Sequence, residues 1–269
     1  ASVWLWAGLS AGLPLALPFV ARSLASQSGE GALATFNYAW KLIELPLVLA
    51  IQLVATLAFP AIARALADRT DTGHRSAAAD TAIRAAMALA WTLACAAAAG
   101  LFLGAPSLAA LLFGWGRMDP PALSRVALWG AIGAWSLLPQ AVTAVGLTVL
   151  AVQGKMRLAA LAYGAVLTGL LGAGNWAGGD GERLMVMLNL AYVTVAAVVL
   201  VALGSAAKRW LPLRLMAATL SGVMLAAWIR HALPAVDTPT GLTLAVTAAF
   251  AVVFIGLLSG PDLRHALRR

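Results

Sequence analysis

Charge is what this sequence has least of. Only 10% of its 269 residues are Asp, Glu, Lys or Arg, against 62% hydrophobic residues and a mean hydropathy of +0.90. So few polar groups cannot cover a water-soluble fold, which makes the chain an integral membrane protein. Strand-type alternation is absent, which argues against a β-barrel. The single cysteine, Cys95, excludes an intrachain disulfide, and its run WTLACAAAAG suits a small packed residue. His74, His231 and His265 stand far apart, so no metal-ligand spacing exists and no cofactor is implied. Without a G-x-S-x-G, an HExxH or paired carboxylates in a cleft, catalysis has no candidates. The stretch GAGNWAGGDG, from Gly172, lacks the Gly-Lys-Ser/Thr ending of a phosphate loop and reads as a turn outside the membrane. No basic leader or cleavage site precedes the first apolar run, which already holds Ala1, so the chain is expected to be the later part of a longer protein.

What is present is a series of apolar runs, each long enough for a helix rising 1.5 Å per residue to cross a core of roughly 30 Å. Eight spans are expected, at about 2–21, 36–62, 82–104, 126–152, 158–176, 184–206, 212–230 and 240–259. The fold class is therefore all-α: a bundle of about eight transmembrane helices joined by short polar connections such as PSLAALLFGWGRMDPPALS, QGKMR and KRW. Alternating sides gather twelve basic residues on one face: Arg64, Arg69, Arg75, Arg84, Lys155, Arg157, Lys208, Arg209, Arg214, Arg264, Arg268 and Arg269. The other face has five, Arg22, Arg117, Arg125, Arg183 and Arg230, with Glu30, Asp119, Asp180, Glu182 and Asp237 close by. The positive-inside rule assigns the first face, and with it the C-terminal tail, to the cytoplasm. It also explains the net charge of +8 better than nucleic acid does, since no aromatics interleave the basic clusters.

Within the spans, the stretch from Phe36 to Pro60 carries Lys41 and Glu44 at membrane depth. Each such charge costs at least roughly 2.5–3.5 kcal/mol on insertion scales, so it faces a partner or a watery cavity. Two readings stay open. Spaced three apart on one helix, the residues can neutralise each other as an ion pair, with Lys41 snorkelling outward. Alternatively, Lys41 projects into a central cavity and holds an anionic substrate group, with Glu44 tuning it. Gln52, Gln140, Asn175 and Asn189 are also at or near membrane depth, where interhelical hydrogen bonds are the usual role. GLSAG (Gly8 to Gly12) and GLFLG (Gly100 to Gly104) are small-residue patterns that let helices approach. Pro14, Pro18, Pro46, Pro60 and Pro139 each remove a backbone hydrogen bond inside a span.

The segment NYAWKLIELPLVLAIQLVATLAFPAIAR (Asn37 to Arg64) resembles the eighth transmembrane helix of the MurJ/MviN lipid II flippases. LLFGWGRMDPPALSRVALWGAIG (Leu111 to Gly133) and LTVLAVQGKMRLA (Leu147 to Ala159) resemble that family's segments around its ninth and tenth helices. The likeness covers roughly residues 1–207 in order and spacing. It implies helices seven to fourteen of a fourteen-helix fold of the multidrug/oligosaccharidyl-lipid/polysaccharide exporter superfamily. Residues 1–207 are then the six helices of the second lobe, and residues 208–269 the final two helices and a tail. It further implies alternating-access transport of an undecaprenyl-diphosphate-linked peptidoglycan precursor across the bacterial cytoplasmic membrane. The family's cavity-facing arginine of helix eight matches Lys41, which keeps the charge but loses bidentate pairing to a diphosphate. Its neighbouring aspartate is replaced by Trp40. An acid reported in helix seven for sodium-binding members has no counterpart between Ala1 and Ala21.

The substrate-binding candidates are therefore Lys41, Glu44, Gln52 and Gln140. The partners implied are the lipid-linked diphosphate saccharide, membrane lipids, and a missing N-terminal lobe or cell-wall synthesis proteins. Two rival functions stand beside this one: export of another polyprenyl-linked saccharide of the O-antigen or capsule type, and a non-transporting scaffold for cell-wall enzymes. A membrane transferase is the weakest reading, because the loops offer only scattered acids and histidines.

Overall fold

A backbone deprived of water must satisfy its N–H and C=O groups within its own segment, which in long apolar runs means helix. The computed structural model describes residues 2–67, 77–116, 118–174, 180–233 and 236–266, and among them every long element is a helix and no strand occurs. The order is α1 (Ser2–Ala25), α2 (Ala32–Pro46), α3 (Leu53–Ala67), α4 (Ala77–Phe113), α5 (Pro120–Gly133), α6 (Leu137–Val152), α7 (Met156–Gly174), α8 (Gly181–Leu203), α9 (Ala207–Trp210), α10 (Leu213–Ala232), α11 (Thr238–Ser259) and α12 (Pro261–Ala266). Helices α2 and α3 form one continuous span, as do α5 and α6. Among the described residues seven spans are long and apolar enough to cross a membrane, and the 24-residue α1 joins them in the bundle. The chain is thus an all-α, multi-pass membrane protein, as its composition requires.

Proline shapes the joints. Pro46 has no N–H to offer the preceding turn, and the six residues after it, Leu47–Gln52, widen into a π turn before α3 resumes. Between α5 and α6, Ala134–Ser136 tighten into a 3₁₀ turn three residues before Pro139. Aspartate shapes one set of helix starts: Asp119, Asp180 and Asp237 cap α5, α8 and α11, accepting hydrogen bonds from first-turn backbone N–H groups. Those three acids belong to the side of the bundle with fewer basic residues, so part of the charge asymmetry is helix capping.

Helix α4 is the centre of the bundle, packing against α3, α5, α6, α10 and α11. Its buried face is built largely of alanine, including Ala88, Ala94, Ala98 and Ala99, so neighbouring backbones come close. The GLFLG pattern is the seam with α11: a methyl group on Gly104 would collide with Cβ of Ala245, and one on Gly100 would lie 3.3 Å from its carbonyl oxygen. GLSAG is different, since nothing lies within 4 Å of where Cβ atoms on Gly8 and Gly12 would stand. On the other side of α4, the Trp91 indole N–H donates to Thr219 Oγ1 at 3.0 Å and ties α4 to α10. Thr219→Val keeps the shape and removes the acceptor. Membrane interhelical hydrogen bonds contribute roughly 0.6 kcal/mol on average and about 1.7 at most. The variant should therefore lose about 1 kcal/mol in a detergent unfolding titration followed by circular dichroism.

Two expected connections are helical instead. Helix α4 does not stop at Gly104 but runs through Pro106 to Phe113, because buried Ser107 and Ala109 carry its packing onward and Gly241 of α11 leaves room for Ser107. The KRW stretch belongs to α9, whose Trp210 indole donates to Asp80 Oδ1 at 2.7 Å while Arg209 lies 3.7 Å from the other oxygen. Residues 68–76 and Asn175 lie outside the described residues.

Candidate functional site

Helix α2 presents two unlike faces. Phe36, Trp40, Ile43 and Leu47 recur at helical spacing and are buried, while Lys41 and Leu45 point away from the core. Trp40 is held in a stack, 6.3 Å from the Phe36 ring and 6.4 Å from Tyr192 of α8, with both pairs of planes nearly parallel. Where the resembling family has an acid beside its cation, this chain has an anchor that fixes α2 to α8. The close fit of α2 on α5 adds to this: a Cβ on Gly133 would strike Ile43, and one on Gly130 would stand 2.9 Å from Leu42. The backbone that carries Lys41 is therefore firmly seated.

Lys41 Nζ donates to Glu44 Oε2 at 2.6 Å, so the i, i+3 spacing does produce an ion pair. The pair is not buried: the two side chains are 58% and 37% exposed. Leu45, Leu49, Leu53 and Leu57 follow it along the same α2–α3 span and are likewise exposed. A lysine and a glutamate thus stand on an otherwise apolar face that has no protein over it among the described residues. Directly against acyl chains, such a pair would bear a large desolvation cost. Against a wet chamber it would cost little and would leave two of the three ammonium protons free for an anion.

The two glutamines do not join this pair. Gln52 lies in the π turn and is exposed, and its carbonyl accepts from Thr56 Oγ1 at 2.9 Å. Gln140, half-buried on α6, donates to Ser136 Oγ at 3.1 Å on its own span. Neither bonds to a neighbouring helix, although α6 packs against both the π turn and α3. Asn189 does make the interhelical bond expected of it, from Nδ2 to the Ile132 carbonyl oxygen at 2.8 Å.

Sequence reasoning passed over a cavity of about 980 Å³ between α4, α5, α8 and α10, whose described lining includes no residue of α2. Its lining includes Phe102, Trp135, Asn189, Arg230 and His231. Arg230 and Asn189 were noticed one by one. Their meeting depends on four helices coming together, which no local pattern encodes. Among the described residues, no cluster of three or more His, Cys, Asp or Glu could hold a metal ion.

A family model described as Lipid II flippase MurJ matches residues 1–259. A curated protein of Burkholderia cenocepacia, Lipid II flippase MurJ, is 33% identical over 105 residues. The matched stretch is 39% of this chain and 19% of that relative, so the alignment spans about a fifth of the relative's length. No solved structure matches.

Proposed function

This chain belongs to the MurJ lipid II flippase family, and from that premise we propose that it forms the second lobe of a flippase for a polyprenyl-diphosphate-linked peptidoglycan precursor. Family and fold make it a multi-pass membrane transporter and not an enzyme. The observation that carries the reading is the Lys41–Glu44 pair, exposed on an apolar face and seated on a rigid helix. A diphosphate cannot enter hydrocarbon unaided. A lysine held at membrane depth beside a wet chamber offers it charge-assisted hydrogen bonds. Glu44 keeps the ammonium neutralised while the chamber is empty and yields it when phosphate arrives.

In this proposal residues 1–207 are the lobe itself and residues 208–269 its two added helices and tail. The apolar face with Lys41 looks toward a first lobe, and the two lobes rock about the bound headgroup while the polyprenyl tail stays in lipid. Gln52, exposed eleven residues beyond Lys41 on the same span, and half-buried Gln140 are not gathered at the pair, and in this proposal they meet the saccharide at a distance from the diphosphate. The twelve-to-five bias of basic residues supports a cytoplasmic-membrane protein whose tail, PDLRHALRR, faces the cytoplasm.

One feature favours a second reading: Lys41, which is a point charge where the family resemblance has a forked guanidinium, suits a carrier with another saccharide equally well. Competition separates the two. The full chain in nanodiscs, loaded with a fluorescent lipid-linked peptidoglycan precursor, should release it to unlabelled precursor at concentrations about tenfold below those needed of an O-antigen-type carrier, a difference of about 1.4 kcal/mol. Equal displacement by both would overturn the peptidoglycan assignment.

A further inference from the structure

The cavity between α4, α5, α8 and α10 is a cleft of a particular depth and polarity. Helices α10 and α11 pack chiefly on α4 and on each other, and this leaves a gap between α10 and the pair α5 and α8. At this end of the bundle α4 and α10 finish while α5, α8 and α11 begin. The cleft runs inward from Arg230 and His231, in the last turn of α10, to Val193, twelve residues into α8. Twelve residues of helix rise about 18 Å. Half of a roughly 30 Å hydrocarbon core is about 15 Å. The cleft is therefore about one leaflet deep. Leu128, Val186, Leu190 and Val193 line it and are also exposed, so it opens sideways along the flank of the bundle as well as at its end.

The charges sit at one place only. Arg230 and His231 are exposed at the mouth, and neither has a carboxylate within ion-pair distance among the described residues. Three acids of this end are engaged, Asp180 with Arg183 at 3.2 Å and Asp119 and Asp237 as caps of α5 and α11, while Glu182, exposed one turn before Val186, lies beyond ion-pair distance of Arg230 and His231. Hydrogen bonds from the Thr240 side chain and backbone N–H hold the Asp237 carboxyl below its ordinary value, so it stays an occupied, ionised cap. Inside the cleft, Asn189 Oδ1 is buried and has no hydrogen-bond partner, because the amide spends its nitrogen on Ile132.

We propose that this cleft holds an anionic phospholipid of the leaflet at that end, one acyl chain lying between α8 and α10 and the phosphate set against Arg230 and His231. A cationic rim over apolar walls one leaflet deep matches the layout of such a lipid, and the volume lies within the range of roughly 300–1,000 Å³ usual for small-molecule sites. The occupant is a lipid of the surrounding bilayer, and the site is separate from Lys41. It does not depend on which saccharide the chain carries.

The test is native mass spectrometry of the full chain released from nanodiscs containing equal amounts of phosphatidylglycerol and phosphatidylcholine. One phosphatidylglycerol should stay bound. Arg230→Gln combined with His231→Gln should lower its retention at least about fivefold, the effect of losing the guanidinium charge and the imidazole at the rim. Leu190→Trp, at a surface-exposed wall residue, should block the cleft and abolish retention with the circular dichroism spectrum unchanged, and Ala227→Phe should do the same from the opposite wall. Equal retention of the two lipids, or retention indifferent to the wall substitutions, overturns the proposal. So does displacement of the phospholipid by an equimolar polyprenyl phosphate, which would give the cleft to a carrier chain.

Discussion

Lys41→Ala weakens binding of a polyprenyl-diphosphate saccharide by about 10- to 100-fold, if the ammonium meets phosphate as proposed. Hydrogen bonds to charged groups contribute about 1.5–3 kcal/mol, and each 1.4 kcal/mol is tenfold in affinity. The fold should not suffer, because the side chain is more than half exposed and its one partner among the described residues is Glu44, itself 37% exposed. Lys41→Arg should bind at least as well as the parent, since a guanidinium adds a forked contact to phosphate. Glu44→Gln gives the most telling sign. It frees Lys41 from an exposed ion pair that contributes at most about 1 kcal/mol, so binding should tighten by up to about fivefold. Equilibrium titration of the full chain in nanodiscs at two salt concentrations measures all three. Unchanged affinity in Lys41→Ala would remove the cation from the transport mechanism. Weaker binding in Glu44→Gln would mean that the carboxylate holds the substrate itself.

The second large effect concerns stability. Gly104→Ala should lose about 2 kcal/mol even though alanine is the better helix former by about 1 kcal/mol. The new methyl group collides with Cβ of Ala245, and both atoms are attached directly to backbone, so no rotamer change relieves the contact. Helices α4 and α11 must separate, and overpacking of this kind typically costs 1–3 kcal/mol. The reciprocal change tests the cause: adding Ala245→Gly removes the opposing methyl and should restore most of the loss, because the next neighbour, the Gly241 carbonyl oxygen, would stand at an ordinary 3.5 Å. Gly8→Ala and Gly12→Ala, where nothing lies within 4 Å, should be neutral or slightly stabilising. Unfolding titrations of the four variants decide it. Additive losses in the double variant would mean that the α4–α11 seam is set elsewhere.

That contrast shows what a one-dimensional reading reaches. GLSAG and GLFLG are the same pattern, yet only the glycines of GLFLG meet another helix while Gly8 and Gly12 face open space, because the pattern specifies a smooth surface and says nothing of what arrives there. The spans were legible because run length and hydrocarbon thickness fix them locally. The Lys41–Glu44 pair was legible for a similar reason, since three-residue spacing on a helix is enough to join the two. The role of Trp40 was not: its burial against Tyr192 depends on a contact between residues far apart in the chain. Nor was the π turn, since Pro46 signals a lost hydrogen bond but not how the chain makes it up. The end of α4 was misplaced for the opposite reason. Pro106 and the polar stretch beyond Phe113 suggest a stop near Gly104, while Ser107 and Ala109 supply a packing reason to continue that only the folded neighbour reveals.

Helices α10 and α11 lean on α4 as rigging leans on a mast. A small tilt of that one helix would carry both of them together while the rest of the bundle kept its shape. The gap on their far side would then breathe in step, widening or narrowing along its whole length. Motion deep among the alanines would thus be felt at the flank that touches lipid, with no messenger other than the stiffness of the helix itself.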